Sequence, residues 1–371
     1  MRALVAPGPG RLVMDEVPDP VPQPGQVLIR TRVTAVSAGT ELRMLYRGQD
    51  DRSGGPGWPA VGAFGYLASG DVLEAGSGVT GVAAGDRVAC GTGWGAHREL
   101  LVADAASVHV LPPGLSYLDG ACAYWAVPPL CGILAGRPDF YDDVAVVGLG
   151  PLGLAAVQML VPFCRRVIAI DRLPARCAVA EAYGAATVGG TADQVRAGVE
   201  RVSPELPAVV IQAAGAADAL DLALRIVRGQ GVVVNVGTLP KLDGFDLFWP
   251  MQWSGARIVP IHRPPWPQTQ APGPGLGQSL RRAYLPAVLD MIGRGRLDLR
   301  RLCSWVLPAE DAPRAMAFCR EHPDRSLGLA FAWHPGEVAR QNGFETAVRA
   351  ALQGGQPGQA AQQPPTEGWS E

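Results

Sequence analysis

Residues 144–171 read VAVVGLGPLGLAAVQMLVPFCRRVIAID. An apolar run enters Gly148-Leu149-Gly150-Pro151-Leu152-Gly153, an apolar segment with helical spacing follows, and a second apolar run closes on Asp171. That order predicts strand, turn, helix and strand. The first glycine permits the tight turn, the second lets a pyrophosphate approach the backbone, and the third lets helix and strand pack closely. The helix N-terminus then presents partial positive charge to the phosphates. Asp171 stands roughly 20 residues on, where a carboxylate accepts hydrogen bonds from ribose hydroxyls. This favours NAD, because a 2′-phosphate would meet a negative charge. Arg172 can pair with such a phosphate, so NADP stays open. Arg176, Ala214 and Gly237 are assigned to the same cofactor site.

The alternation continues outward. RCAVAEAYGA (176–185) reads as a helix ending at Gly184, AVVIQAAG (208–215) as a strand, ADALDLALRIV (217–227) as a helix and GVVVNVG (231–237) as a strand. Strands alternating with such helices imply an α/β unit with a parallel sheet covered on both faces. The first 110 or so residues differ: VLIRTRVTAVS (27–37) alternates, and GDVLEAGSGVTGVAAGDRVAC (70–90) strings short β-runs between glycine turns. APGPGLGQ (271–278) reads as a mobile loop, followed by a helix at 281–295, a strand at CSWVL, a helix at EDAPRAMAFCREH and a strand at LGLAFAW. The Gln/Gly/Pro/Ala-rich tail from about Gly336 is expected to be disordered.

Bulk properties narrow the function. Net charge −2 and a pI near 6.2 argue against a nucleic-acid or anionic-membrane partner. Lys241 is the only lysine, and Gly237 stands four residues before it, so no Tyr-x-x-x-Lys pair exists. The 7 cysteines are scattered without a CxxC, which fits ordinary thiols in a reducing compartment rather than a zinc knuckle. Val144–Cys164 is uncharged enough to imitate a membrane span, but its glycine turn favours a buried strand–turn–helix. MRALVAPGPGRLVMDE lacks an apolar signal core, and a cytoplasmic protein is expected.

GQVLIRTRVTAVSAGTE, GDVLEAGSGVTGVAAGDRV, GWGAHRELLV and VAVVGLGPLGLAAVQ together resemble the medium-chain dehydrogenase/reductase superfamily, over about residues 1–335. The resemblance implies a GroES-like β-barrel catalytic domain (1–120, rejoined by 264–335) and a Rossmann cofactor domain (121–263), with the tail at 336–371. It further implies an active site between them, a small-molecule substrate and a homodimer. In zinc alcohol dehydrogenases of that superfamily, three motifs supply the metal ligands. The matching positions here are Ala38 in Ala38-Gly39-Thr40-Glu41, Tyr66 in Gly65-Tyr66-Leu67, and Tyr124 or Trp125 in GACAYWAVPPL. None is an ordinary zinc ligand, so no zinc is expected. SAGTE with GY is similar to a zinc-free branch that includes bacteriochlorophyllide 3-hydroxyethyl dehydrogenases and proteins of secondary metabolism.

Without zinc, another group must hold the substrate oxygen and exchange its proton. Tyr66, in the place of a ligand histidine, is the first candidate: a phenol of ordinary pKa about 10 donates well to a developing oxyanion. Thr40 matches a proton-relaying hydroxyl, and Glu41 either orients that network or forms an ion pair. His97 reads as a surface or edge residue, and His262 as a possible cleft residue. Phe245, Phe248, Trp249, Trp253 and Trp266 would suit a large or apolar substrate. The leading reading is a zinc-independent NAD(P)-dependent interconversion of a secondary alcohol and a ketone in specialised metabolism. Reduction of an activated C=C bond, or a non-catalytic nucleotide-binding protein, remain alternatives.

Overall fold

The computed structural model describes residues 1–47, 64–238, 248–261, 276–334 and 336. Lys241, Phe245, His262, Trp266 and the tail beyond 336 lie outside them, as does 271–275 of the expected loop.

In chain order, β1 (Arg2–Gly8), β2 (Arg11–Glu16) and β3 (Gln26–Ala35) precede helix α1 (Ala38–Arg47). Then come β4 (Leu67–Ala75), β5 (Arg87–Gly91), β6 (Leu100–Asp104) and β7 (Val108–Val110), followed by α2 (Tyr117–Cys122) and α3 (Val127–Gly136). The alternating part comprises β8 (Asp143–Val147), α4 (Pro151–Leu160), β9 (Arg166–Ile170), α5 (Pro174–Ala182), β10 (Ala186–Val188) and α6 (Ala192–Val202). It continues through β11 (Val209–Gln212), α7 (Ala217–Ile226), β12 (Val232–Asn235) and β13 (Arg257–Pro260). Last come α8 (Leu276–Gly293), β14 (Trp305–Pro308), α9 (Ala312–Glu321) and β15 (Leu329–Ala332).

The alternating part forms one sheet in the order β10-β9-β8-β11-β12-β13, with every pairing parallel. All of β8 is buried, as a strand covered on both faces must be. The order reverses between β8 and β11, and the crevice outside the strand ends at such a point is where a doubly wound sheet takes a dinucleotide. Seven of the remaining strands form a second sheet, β14-β15-β3-β4-β5-β7 with β6 on β3, and β1 pairs with β2 in a two-stranded sheet. β15 pairs antiparallel with β3, so the end of the chain returns to the first unit. This is a GroES-like β-rich unit joined to a Rossmann sheet.

One hydrophobic core runs through both units. It contains Val33, Ala35, Tyr66 and Leu67 from the first, Val144, Val146 and Leu154 from the second, and Trp125 and Cys131 between them. Tyr117–Gly136 is the apolar helical stretch long enough to span a bilayer, and most of it lies inside this core. Val144–Cys164 resolves into β8, the glycine turn and α4.

Two local readings change. The segment SAGTELRMLYR holds α1, where the sequence shows only a β-rich region; it buries Glu41, Arg43 and Leu45. The helix expected at 281–295 begins at Leu276, taking up part of the expected loop and carrying Pro286 inside it. None of the seven cysteines forms a disulfide, and five of them are buried. Burial pushes the Cys131 thiol up to about 12, which suits an inert core residue.

Candidate active site

The glycine turn is shaped by contacts rather than by composition alone. Gly148 has φ +92°, and a Cβ on it would lie 2.8 Å from the Ala214 Cβ. A Cβ on Gly153 would lie 1.8 Å from the Gly148 carbonyl oxygen. Gly150 is different: it caps α4 with φ −71°, and nothing stands within 4 Å of its Cβ position. Pro151 occupies the first turn of α4, where its missing N–H costs nothing. Leu149 is fully buried, while Leu152 packs half-buried against the central core.

Asp171 fastens this turn from the end of β9. Its Oδ2 accepts from the Leu149 N–H at 2.7 Å, and its Oδ1 accepts from the Leu173 N–H at 2.9 Å. Arg172 is exposed beside it. Across the crevice, a Cβ on Gly237 would lie 2.1 Å from the Ala214 carbonyl oxygen, so Ala214 and Gly237 form a closely packed opposite lip. Arg176 lies between Asp171 and the segment after α9. Its guanidinium donates to the carbonyls of Pro323 at 2.9 Å and Ser326 at 3.3 Å, and stays 3.9 Å from Asp171. Burial pulls its pKa down, and it ties α5 to the segment after α9 while keeping its other nitrogen toward Asp171.

The first unit brings aromatic groups to its junction with the second. The Tyr66 ring is 7% exposed and lies edge-on to Trp94 at 5.1 Å and to Tyr124 at 6.0 Å between centroids. Tyr124 belongs to a 3-10 turn at 123–126 that packs on α4 and α8, at the junction of the units. Trp125 is turned away: it is buried and donates through Nε1 to the Val36 carbonyl at 3.2 Å. Thr40 sits half-buried in the first turn of α1. Three residues further along α1, Arg43 crosses to the parallel sheet and donates to the Thr238 carbonyl at 2.5 Å.

His97 departs most from the sequence reading, and its partner is Glu41. Both side chains are 0% exposed, and His97 Nε2 lies 2.9 Å from Glu41 Oε2. Glu41 Oε1 accepts from the Ser37 N–H at 2.8 Å. Glu41 is fully buried inside the first unit, with both oxygens bonded there, and takes the ion-pair role that was one of its two expected ones. His97 is not a surface or edge residue; it lies in the loop after β5. The sequence carried one signal for this, an acidic residue in α1 whose charge required a partner if buried. Phe248, Trp249 and Trp253 keep 47%, 59% and 72% of their surface exposed just before edge strand β13.

Among the described residues, no group of three or more His, Cys, Asp or Glu is placed to hold a metal ion. The three positions matching zinc ligands present a methyl group at Ala38 and phenols at Tyr66 and Tyr124. That donor set does not fit a catalytic zinc, which takes three ligands from Cys, His, Asp and Glu.

A glycine turn at the switch point of a doubly wound parallel sheet, joined to a GroES-like β-rich unit, is the architecture of a dinucleotide-dependent oxidoreductase. Comparison with known proteins agrees. The profile described as "Alcohol dehydrogenase GroES-like domain" matches residues 23–113, and that described as "Zinc-binding dehydrogenase" matches residues 151–261. An alcohol dehydrogenase of Rhizobium meliloti (strain 1021) is 31% identical over 261 residues, covering 62% of this chain and 74% of the relative. A D-guloside 3-dehydrogenase of Escherichia coli (strain K12) is 27% identical over 359 residues, covering 89% of this chain and 99% of the relative. The alcohol dehydrogenase TADH from Thermus sp. ATN1 superposes with a TM-score of 0.71 at 24% identity, covering 90% of this chain and 99% of that one. The chain belongs to the alcohol dehydrogenase family of the medium-chain dehydrogenase/reductase superfamily.

Proposed function

We propose that the protein interconverts a secondary alcohol and its ketone without a catalytic zinc, in specialised metabolism. The observation that carries this reading is the chemistry of the ligand positions: two phenols, Tyr66 and Tyr124, meet edge-on where the family would place metal ligands. The crevice at Gly148–Gly153 would hold NAD(P), which would supply the acceptor or donor of the hydride exchanged with the carbinol carbon. The chain supplies the rest. The Tyr66 hydroxyl donates a hydrogen bond to the substrate oxygen and passes its proton on reduction; on oxidation it takes that proton back. Thr40 extends this path toward solvent along α1. The preorganised donor stands in for the charge stabilisation a metal would give, an effect of about 3–4 kcal/mol for one well-placed donor.

The turn at Gly148–Gly153 holds the pyrophosphate, and Asp171 keeps lone pairs for the adenosine ribose, so NAD is the proposed cofactor. Exposed Arg172 leaves the site open to NADP. Trp94, Tyr66 and Tyr124 wall the reacting position with ring edges and faces, which suits a cyclic substrate of appreciable size. The name of the D-guloside relative points the same way, to a ring hydroxyl. A homodimer is the proposed assembly.

The test is Tyr66→Phe, assayed with NAD and NADP against cyclic secondary alcohols, glycosides, ketones and enones, with metal content measured by mass spectrometry. Turnover of alcohol or ketone should fall about tenfold or more with cofactor affinity intact. Unchanged turnover removes Tyr66 from the chemistry. Stoichiometric zinc in active protein sinks the metal-free reading, and activity confined to enones moves the reaction to C=C reduction.

A further inference from the structure

His97 and Glu41 form a buried polar chain that the proposed chemistry does not use. Trp333 Nε1 donates to Thr34 Oγ1 at 3.0 Å, and Thr34 Oγ1 lies 2.7 Å from His97 Nδ1. With the Thr34 hydroxyl directed to Nδ1, the imidazole donates through Nε2 to Glu41 Oε2, and the Ser37 N–H completes the carboxylate. Every member of the chain is satisfied in that arrangement. The surroundings are apolar: His97 packs against the rings of Phe64 and Phe331 at 5.8 and 5.4 Å. Placing an imidazole and a carboxylate there is a poor way to gain stability, since desolvation offsets most of their attraction. What the pair supplies is a fixed direction between elements.

Those elements are the two that carry the proton path. Glu41 follows Thr40 in α1. His97 lies directly under the residue before Tyr66: a Cβ on Gly65 would stand 2.2 Å from the His97 ring, and Gly65 has φ +77°. Around that contact, the His97 N–H donates to the Phe64 carbonyl at 3.1 Å. The Ala96 N–H donates to Gly65 at 3.0 Å, and the Thr92 N–H to Tyr66 at 2.9 Å. Phe64–Tyr66 is thus stitched to the 92–97 loop with the imidazole seated beneath its turn.

We infer that His97 and Glu41 are positioning residues, whose buried pair sets Tyr66 relative to Thr40. This rests on the reading that Tyr66 handles the substrate proton. Neither residue touches substrate, since both side chains are fully buried inside the first unit.

The experiment is a double-mutant cycle in the full chain. His97→Gln and Glu41→Gln are each made alone and on Tyr66→Phe, and turnover is measured on whichever alcohol of the panel above is active. Amide hydrogen exchange of the peptide covering 64–66 is followed in parallel and needs no substrate. Each single variant should lower turnover about tenfold while leaving cofactor affinity unchanged, and should have little further effect once Tyr66 is Phe. Exchange at 64–66 should speed up about tenfold, with β8 and β9 unaltered. Equal losses in both backgrounds, or unchanged exchange at 64–66, overturn the inference while leaving Tyr66 in place. Turnover insensitive to Tyr66→Phe overturns the underlying reading and this inference with it. If His97→Gln does not fold, Glu41→Gln decides, because it keeps the volume and the Ser37 contact.

Discussion

Asp171 Oδ2 accepts a hydrogen bond from the Leu149 amide at 2.7 Å, inside the glycine turn itself. The carboxylate that would receive a ribose therefore also holds the loop that would receive the pyrophosphate. A carboxylate has about four lone-pair directions, so two remain after Leu149 and Leu173 are served. Asp171→Asn keeps an acceptor for the turn but removes the charge. The KM for NAD should rise about tenfold to a hundredfold, from about 1.5–3 kcal/mol of lost charge-assisted bonding. The KM for NADP should rise less, because the change also removes repulsion of a 2′-phosphate beside Arg172. Steady-state kinetics with both cofactors checks this; equal losses would separate Asp171 from cofactor choice.

Gly150 and Gly153 are predicted to fail differently. At Gly153 a methyl group would strike the Gly148 carbonyl, so Gly153→Ala should lower thermal stability and cofactor affinity together. At Gly150 the φ is ordinary and the space open. Nothing in the protein itself requires a glycine there; a pyrophosphate against the backbone does. Gly150→Ala should leave the thermal midpoint unchanged within a degree or two and weaken NADH binding about tenfold or more, read by fluorescence titration. Wild-type affinity would mean that the dinucleotide takes another path.

The contrast between these positions shows what the sequence makes legible. VAVVGLGPLG with Asp171 specifies strand, turn and helix because each glycine answers a local steric demand, and local demands are written in neighbouring residues. β8, α4 and β9 fall where that pattern puts them. Tyr66 was legible only through family resemblance, since one tyrosine has no period. The pairing of His97 with Glu41 was hidden for another reason. The two residues are 56 apart in the chain, and their contact depends on how α1 packs against the loop after β5. The bonds from Arg176 to Pro323 and Ser326 were hidden in the same way, since they depend on the return of the chain after α9.

Arg43 donates from α1 to the Thr238 carbonyl at the far side of the crevice, so it links the unit that carries Thr40 to the strand end that follows Gly237. The contact is buried on the arginine side, which makes its loss costly. Arg43→Ala should loosen the approach of the two units. The expected result is a KM for cofactor raised about tenfold with the thermal midpoint lowered by a few degrees. Arg43→Lys should recover little, because an ammonium lacks the planar, forked reach of the guanidinium. Full recovery by lysine would mean that charge alone matters at this position.

Asp143 offers a test of stability against pH. Its carboxylate is 2% exposed at the start of β8 and receives Arg165 Nε at 2.9 Å and Arg166 Nη1 at 3.3 Å. Burial alone would raise its pKa, but the hydrogen bonds from Arg165 and Ser203 and the nearby arginine charges outweigh it and hold the group below the usual carboxylate range. A folded-state pKa below the unfolded value binds fewer protons in the native state. The resulting stability is fully present above the unfolded pKa of about 3.9 and is lost as pH falls through the lower folded value. Asp143→Asn should therefore cost about 1–3 kcal/mol in urea unfolding near about pH 7, from the lost charge-assisted bonds. The gap between the two proteins should narrow steadily below about pH 4. A gap that stays constant down to about pH 2.5 would show that the residue acts through packing of the strand end and not through its ionised form.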